Sequence, residues 1–146
     1  MDHKKDLKKI ELLINQHLYT ICSVITILVM LMFLVEFFSK GMFNLYKIEL
    51  FYLGVLLIYS FHKELIRCIG CKKLDKQGEN FVYIWIVLTL SLYIVNFISR
   101  DFFTITVYNE PSLVLKNISI LTLQILAIFI ITRGIKFIKI FLAEKK

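Results

Sequence analysis

Residues 18–38 read LYTICSVITILVMLMFLVEFF, 21 residues with one charged side chain, Glu36, near the end. A helix rises about 1.5 Å per residue, so such a run covers the roughly 30 Å hydrocarbon core of a bilayer. No soluble domain of 146 residues has room for it beside the rest of this chain. Hydrophobic residues make up 58% of the sequence, charged residues 20%, and the mean hydropathy is +0.74. Soluble domains average about 45–50% apolar, and a small globule buries only about two-thirds of its unfolded surface. The composition also excludes a disordered chain and a disulfide-rich secreted scaffold.

Working outward, residues 81–99 contain no Asp, Glu or Lys and form a second secure span. Residues 112–132 form another, with Lys116 near the start and Pro111 placed to stand in the first helical turn. The remaining apolar run is short. Residues 50–61 are uncharged, and a span over 46–66 must take in Lys47, Glu49, His62, Lys63 and Glu64. No Pro or Gly pair breaks this run, which favours a crossing over a re-entrant hairpin. The expected fold is therefore all-α: an integral membrane bundle of four transmembrane helices in one domain, residues 1–146. The first span acts as an uncleaved signal anchor, since no h-region precedes it and no small-residue cleavage site follows. No internal repeat, linker or low-complexity tract is evident.

Orientation follows from the Lys and Arg in the flanks. Lys4, Lys5, Lys8 and Lys9 precede the first span; Lys63, Arg67, Lys72, Lys73 and Lys76 lie between the second and third; Arg133, Lys136, Lys139, Lys145 and Lys146 follow the fourth. These fourteen share one side, and the other holds only Lys40, Lys47, Arg100 and Lys116. The positive-inside bias makes the fourteen cytoplasmic, with both termini inside and the protein multi-pass in a plasma (inner) membrane. The basic ends, residues 1–17 and 133–146, are amphipathic. They read as ordinary ends of the first and fourth helices, positioned to meet anionic lipid headgroups. The formal net charge of +7 is accounted for by these flanks, and no nucleic-acid motif accompanies it. The aromatic stretch 102–108 fits a belt at the opposite interface better than a strand.

Polar residues recur at helical spacing inside the spans. Tyr19, Cys22 and Thr26 share one face; so do Glu49, Tyr52, Tyr59 and Lys63; so do Trp85, Thr89 and Asn96; so do Asn117 and Gln124. Polar groups avoid lipid, so Tyr52, Tyr59, Thr89, Asn96 and Gln124 are expected to meet between helices. No ionisable residue stands near the centre of a span, which argues against a proton-coupled transporter. Glu36 and Glu49 form an interfacial charge cluster with Lys47 close enough to pair. No GxxxG specifies a tight dimer.

The one motif with chemical potential is Cys68-Ile-Gly-Cys71. Its spacing suits a redox pair or half a zinc site, with His62 and His17 as further candidate ligands. It is similar to the cysteine pairs of four-span disulfide-forming and quinone-linked oxidoreductases. Those use a second pair and act on the oxidising side, whereas this pair falls on the reducing side. No nucleophile elbow, P-loop or HExxH is present, so no enzymatic activity and no cofactor are expected.

The segments Tyr59-Ser60-Phe61-His62-Lys63-Glu64-Leu65-Ile66-Arg67 and Gln77-Gly78-Glu79-Asn80-Phe81-Val82-Tyr83-Ile84-Trp85 resemble small uncharacterised four-span membrane proteins of bacteria with reduced genomes. The composition agrees: Ile, Lys, Phe and Leu are abundant and Ala is rare. The resemblance implies no activity. Glu79 suits a helix N-terminus, and Glu64 and Glu79 can pair with Arg67 or Arg133 in a cytoplasmic ion-pair cluster. The leading functional expectation is a non-enzymatic membrane protein acting by interaction, as an accessory or scaffold subunit of a membrane protein partner. A small oligomeric channel or transporter lined by the polar stripes is an alternative. A membrane thiol or metal protein using Cys68 and Cys71 is another.

Overall fold

The computed structural model describes residues 3–43, 46–68 and 79–144, with side chains over 10–43, 48–66 and 80–134. The described residues fold as four helices: α1 (His3–Phe38), α2 (Tyr46–Cys68), α3 (Glu79–Ile98) and α4 (Val114–Glu144). Among the described residues there is no strand, only an isolated bridge between Ile105 and Pro111. Three helices hold a stretch long and apolar enough to cross a membrane: Ile10–Phe38, Asn80–Ile98 and Val114–Gly134. The protein is thus a helical membrane protein. The first of these stretches begins eight residues before the apolar run at 18–38, because the helix does not stop at the basic flank. The same holds at the other end, where α4 continues through the basic segment to Glu144.

α1 packs on α2, and α3 on α4, as two antiparallel pairs; α4 also lies against α2 and α1. The backbones of α2 and α3 stay apart, and long side chains bridge them: Tyr52 to Trp85, and Tyr59 to Phe81. The shared core comprises Cys22, Val29, Phe33 and Phe37 of α1, Tyr52, Leu56 and Tyr59 of α2, Phe81, Val82, Trp85 and Leu92 of α3, and Val114, Ile118, Leu121 and Ile125 of α4. The lipid-compatible exterior is apolar as well, which is the sign of a protein solvated by hydrocarbon.

One end of the molecule carries the N-terminus of α1, the C-terminus of α2 and the C-terminus of α4, and is called here the basic end. The other, the loop end, holds residues 39–43 and 99–113. Two helices stop at the loop end by the same device. After α1, Lys40 (φ 55°) and Gly41 (φ 70°) turn left-handed, and the Lys40 and Gly41 N–H groups donate to the carbonyls of Phe37 and Glu36. After α3, Arg100 (φ 53°) and Asp101 (φ 60°) repeat the turn, donating to Phe97 and Asn96. These are Schellman closures, which satisfy carbonyls that a helix end leaves open. Even the serines match: Ser39 donates to the Glu36 carbonyl at 3.2 Å and Ser99 to the Asn96 carbonyl at 2.9 Å.

The two octapeptides correspond residue for residue, Leu34-Val-Glu-Phe-Phe-Ser-Lys-Gly41 and Ile94-Val-Asn-Phe-Ile-Ser-Arg-Asp101. This local repeat was not evident from composition. It emerges because the backbone geometry marks equivalent positions that the surrounding apolar residues obscure.

The loop 99–113 folds back over the end of α1. The Phe103 ring stacks on Phe37 (4.6 Å between centroids) and meets Phe38 edge-on (5.7 Å). Lys40 Nζ sits 3.2 Å over the Phe102 ring, a cation–π contact. Pro111 does not enter a helix. It pairs with Ile105 in the bridge while Thr104 and Thr106 exchange hydrogen bonds with Ser112 and Glu110, and α4 begins three residues later. Gly41 is required where it stands: a Cβ there would meet Thr106 Cγ2 at 3.1 Å in a backbone conformation that disfavours side chains.

A left-handed conformation costs a residue with a Cβ about 1–2 kcal/mol relative to glycine. Arg100 points to no described partner that would be lost. Arg100→Gly is therefore expected to stabilise the protein by about 0.5–1 kcal/mol after the added freedom of the unfolded chain is counted. Thermal unfolding in detergent should show a higher Tm; an unchanged or lower Tm would contradict the capping assignment.

Candidate functional site

The apolar frame encloses polar groups at three levels. At mid-height, Trp85 Nε1 donates to Tyr52 Oη at 2.8 Å. Thr26 Oγ1 lies 3.2 Å from that same oxygen and 2.7 Å from the Cys22 carbonyl. Thr26 Oγ1 shares its proton between the carbonyl and the tyrosine oxygen, so Tyr52 Oη accepts from Trp85 and from Thr26. The result is a relay that joins α3, α2 and α1 at one tyrosine oxygen. Trp85 and Tyr52 are both 0% exposed and Thr26 is 3% exposed, so no water interrupts it. Phe33 packs edge-on against Trp85 at 5.9 Å. Next to the relay, Thr89 and Thr122 share a hydrogen bond of 2.7 Å between α3 and α4, and Tyr93 and Ser119 share one of 2.9 Å. Thr122 and Ser119 bond back to their own helix as well.

Towards the basic end, Tyr19, Tyr59 and Phe81 bring three rings from three helices together, with centroids 5.6–5.9 Å apart. Asn15 lies one turn beyond Tyr19 on α1. It is 1% exposed, and neither its carbonyl oxygen nor its amide nitrogen has a hydrogen-bond partner among the described residues. Lys63 of α2 is 6% exposed and engaged. His62 Nε2 stands 3.6 Å from Glu11, an ion-pair separation when the imidazole is protonated, while its Nδ1 is buried without a hydrogen bond.

At the loop end, Glu36 and Glu49 face each other across the α1–α2 turn, near enough for their charges to interact. Glu36 Oε2 and Glu49 Oε1 are buried without hydrogen-bond partners among the described residues. The Lys47 side chain lies outside the described residues. Asn96 turns its amide N–H to Asp101 Oδ1 at 2.8 Å, leaving its own oxygen unpaired.

Of the five residues expected to meet between helices, Tyr52 and Thr89 bond directly to a neighbouring helix. Tyr59 does so through its ring. Asn96 bonds to the turn that ends its own helix. Gln124 lies on the exposed side of α4. The apolar residues explain its position: Val114, Ile118, Leu121 and Ile125 form the buried stripe of α4, and Gln124 stands a quarter-turn away from it. Spacing alone had placed Asn117, Leu121 and Gln124 together.

In the expected ion-pair cluster, Glu64 and Arg133 are both half-buried and engaged, and Arg133 lies 5.3 Å over the Phe129 ring. The side chains of Arg67 and Glu79 lie outside the described residues. So do those of Cys68 and Cys71. Their candidate co-ligands differ in setting: His17 is exposed, and His62 is directed to Glu11. Among the described residues no three His, Cys, Asp or Glu side chains are grouped closely enough to hold a metal ion. The feature that sequence reasoning missed is Asn15. Its signal was present, since Asn15, Tyr19, Cys22 and Thr26 follow the 3–4 spacing of one buried face.

The chain matches no protein-family model, no curated protein and no solved structure.

Two substitutions separate the levels. Tyr52→Phe removes the acceptor for Trp85, the chain's single tryptophan, and leaves a buried N–H unpaired. The expected loss is about 1–3 kcal/mol, read as a lower unfolding midpoint together with a change in tryptophan emission. Asn15→Leu, by contrast, replaces an unpartnered buried amide with an apolar group of similar size. It should raise the midpoint, by about 1–2 kcal/mol; a fall would mean that the amide is paired in the native membrane.

Proposed function

We propose that this chain is a four-span integral membrane protein that acts by interaction rather than catalysis. Both termini face the cytoplasm, and its contacts are made at the two ends of the bundle. One observation carries the reading. The buried polar groups at mid-height are closed into bonds between helices, while the buried ones without a hydrogen bond among the described residues, Asn15 and His62 Nδ1 at one end and Glu36, Glu49 and Asn96 at the other, lie towards the membrane faces. A sealed centre serves rigidity. Buried polar groups kept without partners lower stability, and their retention fits surfaces shaped for another molecule.

The second helix supports the four-span part of the proposal. It is too polar to qualify as a membrane span by composition, yet its polarity is one-sided. Leu50, Phe51, Leu57, Ile58, Phe61 and Leu65 make up its outward face, with Leu50 78% and Phe61 66% exposed. Tyr52, Tyr59 and Lys63 are buried, and Glu49, His62 and Glu64 are half-buried. Its 23 residues reach about 34 Å, enough to cross. The charge bias places the basic end inside, where it meets anionic headgroups and the soluble part of a membrane partner.

The test pairs site-specific photocrosslinking in cells with flux in liposomes. A photoreactive side chain at Leu65, beside the basic end, should yield a discrete adduct with another membrane protein. The same group at Phe97, which is exposed on α3, should yield lipid adducts. Reconstituted protein should carry no small ions or solutes. Lipid adducts alone at Leu65, accompanied by solute flux, would replace this reading with the channel.

A further inference from the structure

Gln124 is the eleventh of the 21 residues in the span Val114–Gly134, and so stands at its midpoint. It is exposed, as are its neighbours Leu123 (64%) and Ile131 (62%). The exposed Thr and Ser hydroxyls within the spans are satisfied locally. Thr20 donates to the Gln16 carbonyl and Ser91 to the Val87 carbonyl, each one turn back. A primary amide has no such escape. No hydrogen bond to Gln124 is formed by any described residue, and the amide lies about 15 Å from either end of the span, too far to reach water or headgroups. Hydrocarbon offers it nothing.

The surroundings suit close approach by another helix. Ile120, Gln124, Ala127, Ile131 and Gly134 recur at steps of four and three residues, forming a seam distinct from the buried stripe of α4. Such spacing is the contact pattern of paired helices. Ala127 and Gly134 are small, and a Cβ built on Gly134 would meet no atom within 4 Å. Small residues let helix backbones approach within a membrane.

We propose that two copies of this chain pair through α4, with the Gln124 side chains hydrogen-bonded to each other across a two-fold axis along the membrane normal. The amide carries both a donor and an acceptor, so it is its own complement. Two copies inserted with the same orientation place equivalent residues at the same depth, and a two-fold contact brings equivalent surfaces together. A foreign helix would have to supply a matching polar group at that depth; a second copy supplies it automatically. The pairing requires only that α4 crosses the membrane, so it stands or falls separately from the function proposed above.

The experiment measures energy transfer between donor- and acceptor-labelled copies in liposomes over a range of lipid dilutions, with the label on an introduced Tyr108→Cys in a chain lacking its native cysteines. Wild-type Gln124 should give association above random proximity. Gln124→Leu should weaken it about tenfold, the scale of a membrane-embedded polar contact, and Gln124→Asn should retain part of it. Because the residue faces outward, the variant should keep its fold, checked by unchanged Trp85 emission. In parallel, Ala127→Cys should form disulfide-linked dimers on mild oxidation, and Val87→Cys, exposed on α3, should not. Random proximity for the wild type, equal association of Gln124→Leu, or equal crosslinking at both positions would overturn the proposal.

Discussion

The hydrogen-bond relay through Tyr52 is the constraint on which the packing depends. The backbones of α2 and α3 do not touch, yet both must bury polar side chains from lipid. Tyr52 and Trp85 are among the largest fully buried side chains in the core, and together they bridge the gap between the two helices. Tyr52 Oη accepts from Trp85 of α3 and from Thr26 of α1, so a single oxygen of α2 ties the other two helices together, and Thr26 is held in turn by the Cys22 carbonyl of its own helix. Each link fixes the rotation of a helix about its axis. Once those rotations are set, the remaining apolar stripes have only one way to face the centre.

The consequence is clearest for α2. A helix bearing Glu49, His62, Lys63 and Glu64 crosses hydrocarbon only if those groups turn away from lipid. Anchoring Tyr52 in the core does this, because Glu49 precedes it by three residues and Tyr59 and Lys63 follow on the same side. The outward face is left to Leu, Ile and Phe. The two helix pairs enter the loop end by matching Schellman turns, and the aromatic loop 99–113 covers the end of α1. The polar centre is thus closed from above as well as from the sides. The buried groups that stay unpaired among the described residues are displaced towards the ends, which is where we place the contacts that give the protein its role.

Much of this was legible in the sequence. The long apolar runs identify three helices without ambiguity, since nothing but a helix satisfies its backbone in hydrocarbon. The inward stripe on α2 is also visible, because its polar residues fall on one side of a 3.6-residue repeat. Gln124 was not legible in this way. Asn117, Leu121 and Gln124 are spaced as well as Ile118, Leu121 and Ile125, and only the packing of the other helices decides between the two stripes. Pro111 looked like a helix start because proline favours that position, but the hydrogen bonds of Thr104 and Thr106 hold it in a turn instead. The likeness of the two helix ends was hidden for a related reason: Lys40 and Arg100 occupy left-handed positions where glycine is the usual signal. Asn15 shares its face with Tyr19 and Cys22, yet its lack of a partner is a property of the folded neighbourhood and has no counterpart in the sequence.

The most direct test of the account is whether α2 crosses the membrane. Replacing Cys22 with Ala leaves Cys68 and Cys71 as the native thiols after α2, and a companion variant lacking all three carries Met42→Cys in the loop before it. Intact cells are treated with a membrane-impermeant thiol reagent, before and after the membrane is opened. The account predicts that Met42→Cys labels in intact cells, while Cys68 and Cys71 label only after opening. Labelling of Met42→Cys and of Cys68 and Cys71 from the same side would mean that α2 turns back without crossing, and would contradict the four-span arrangement at its foundation.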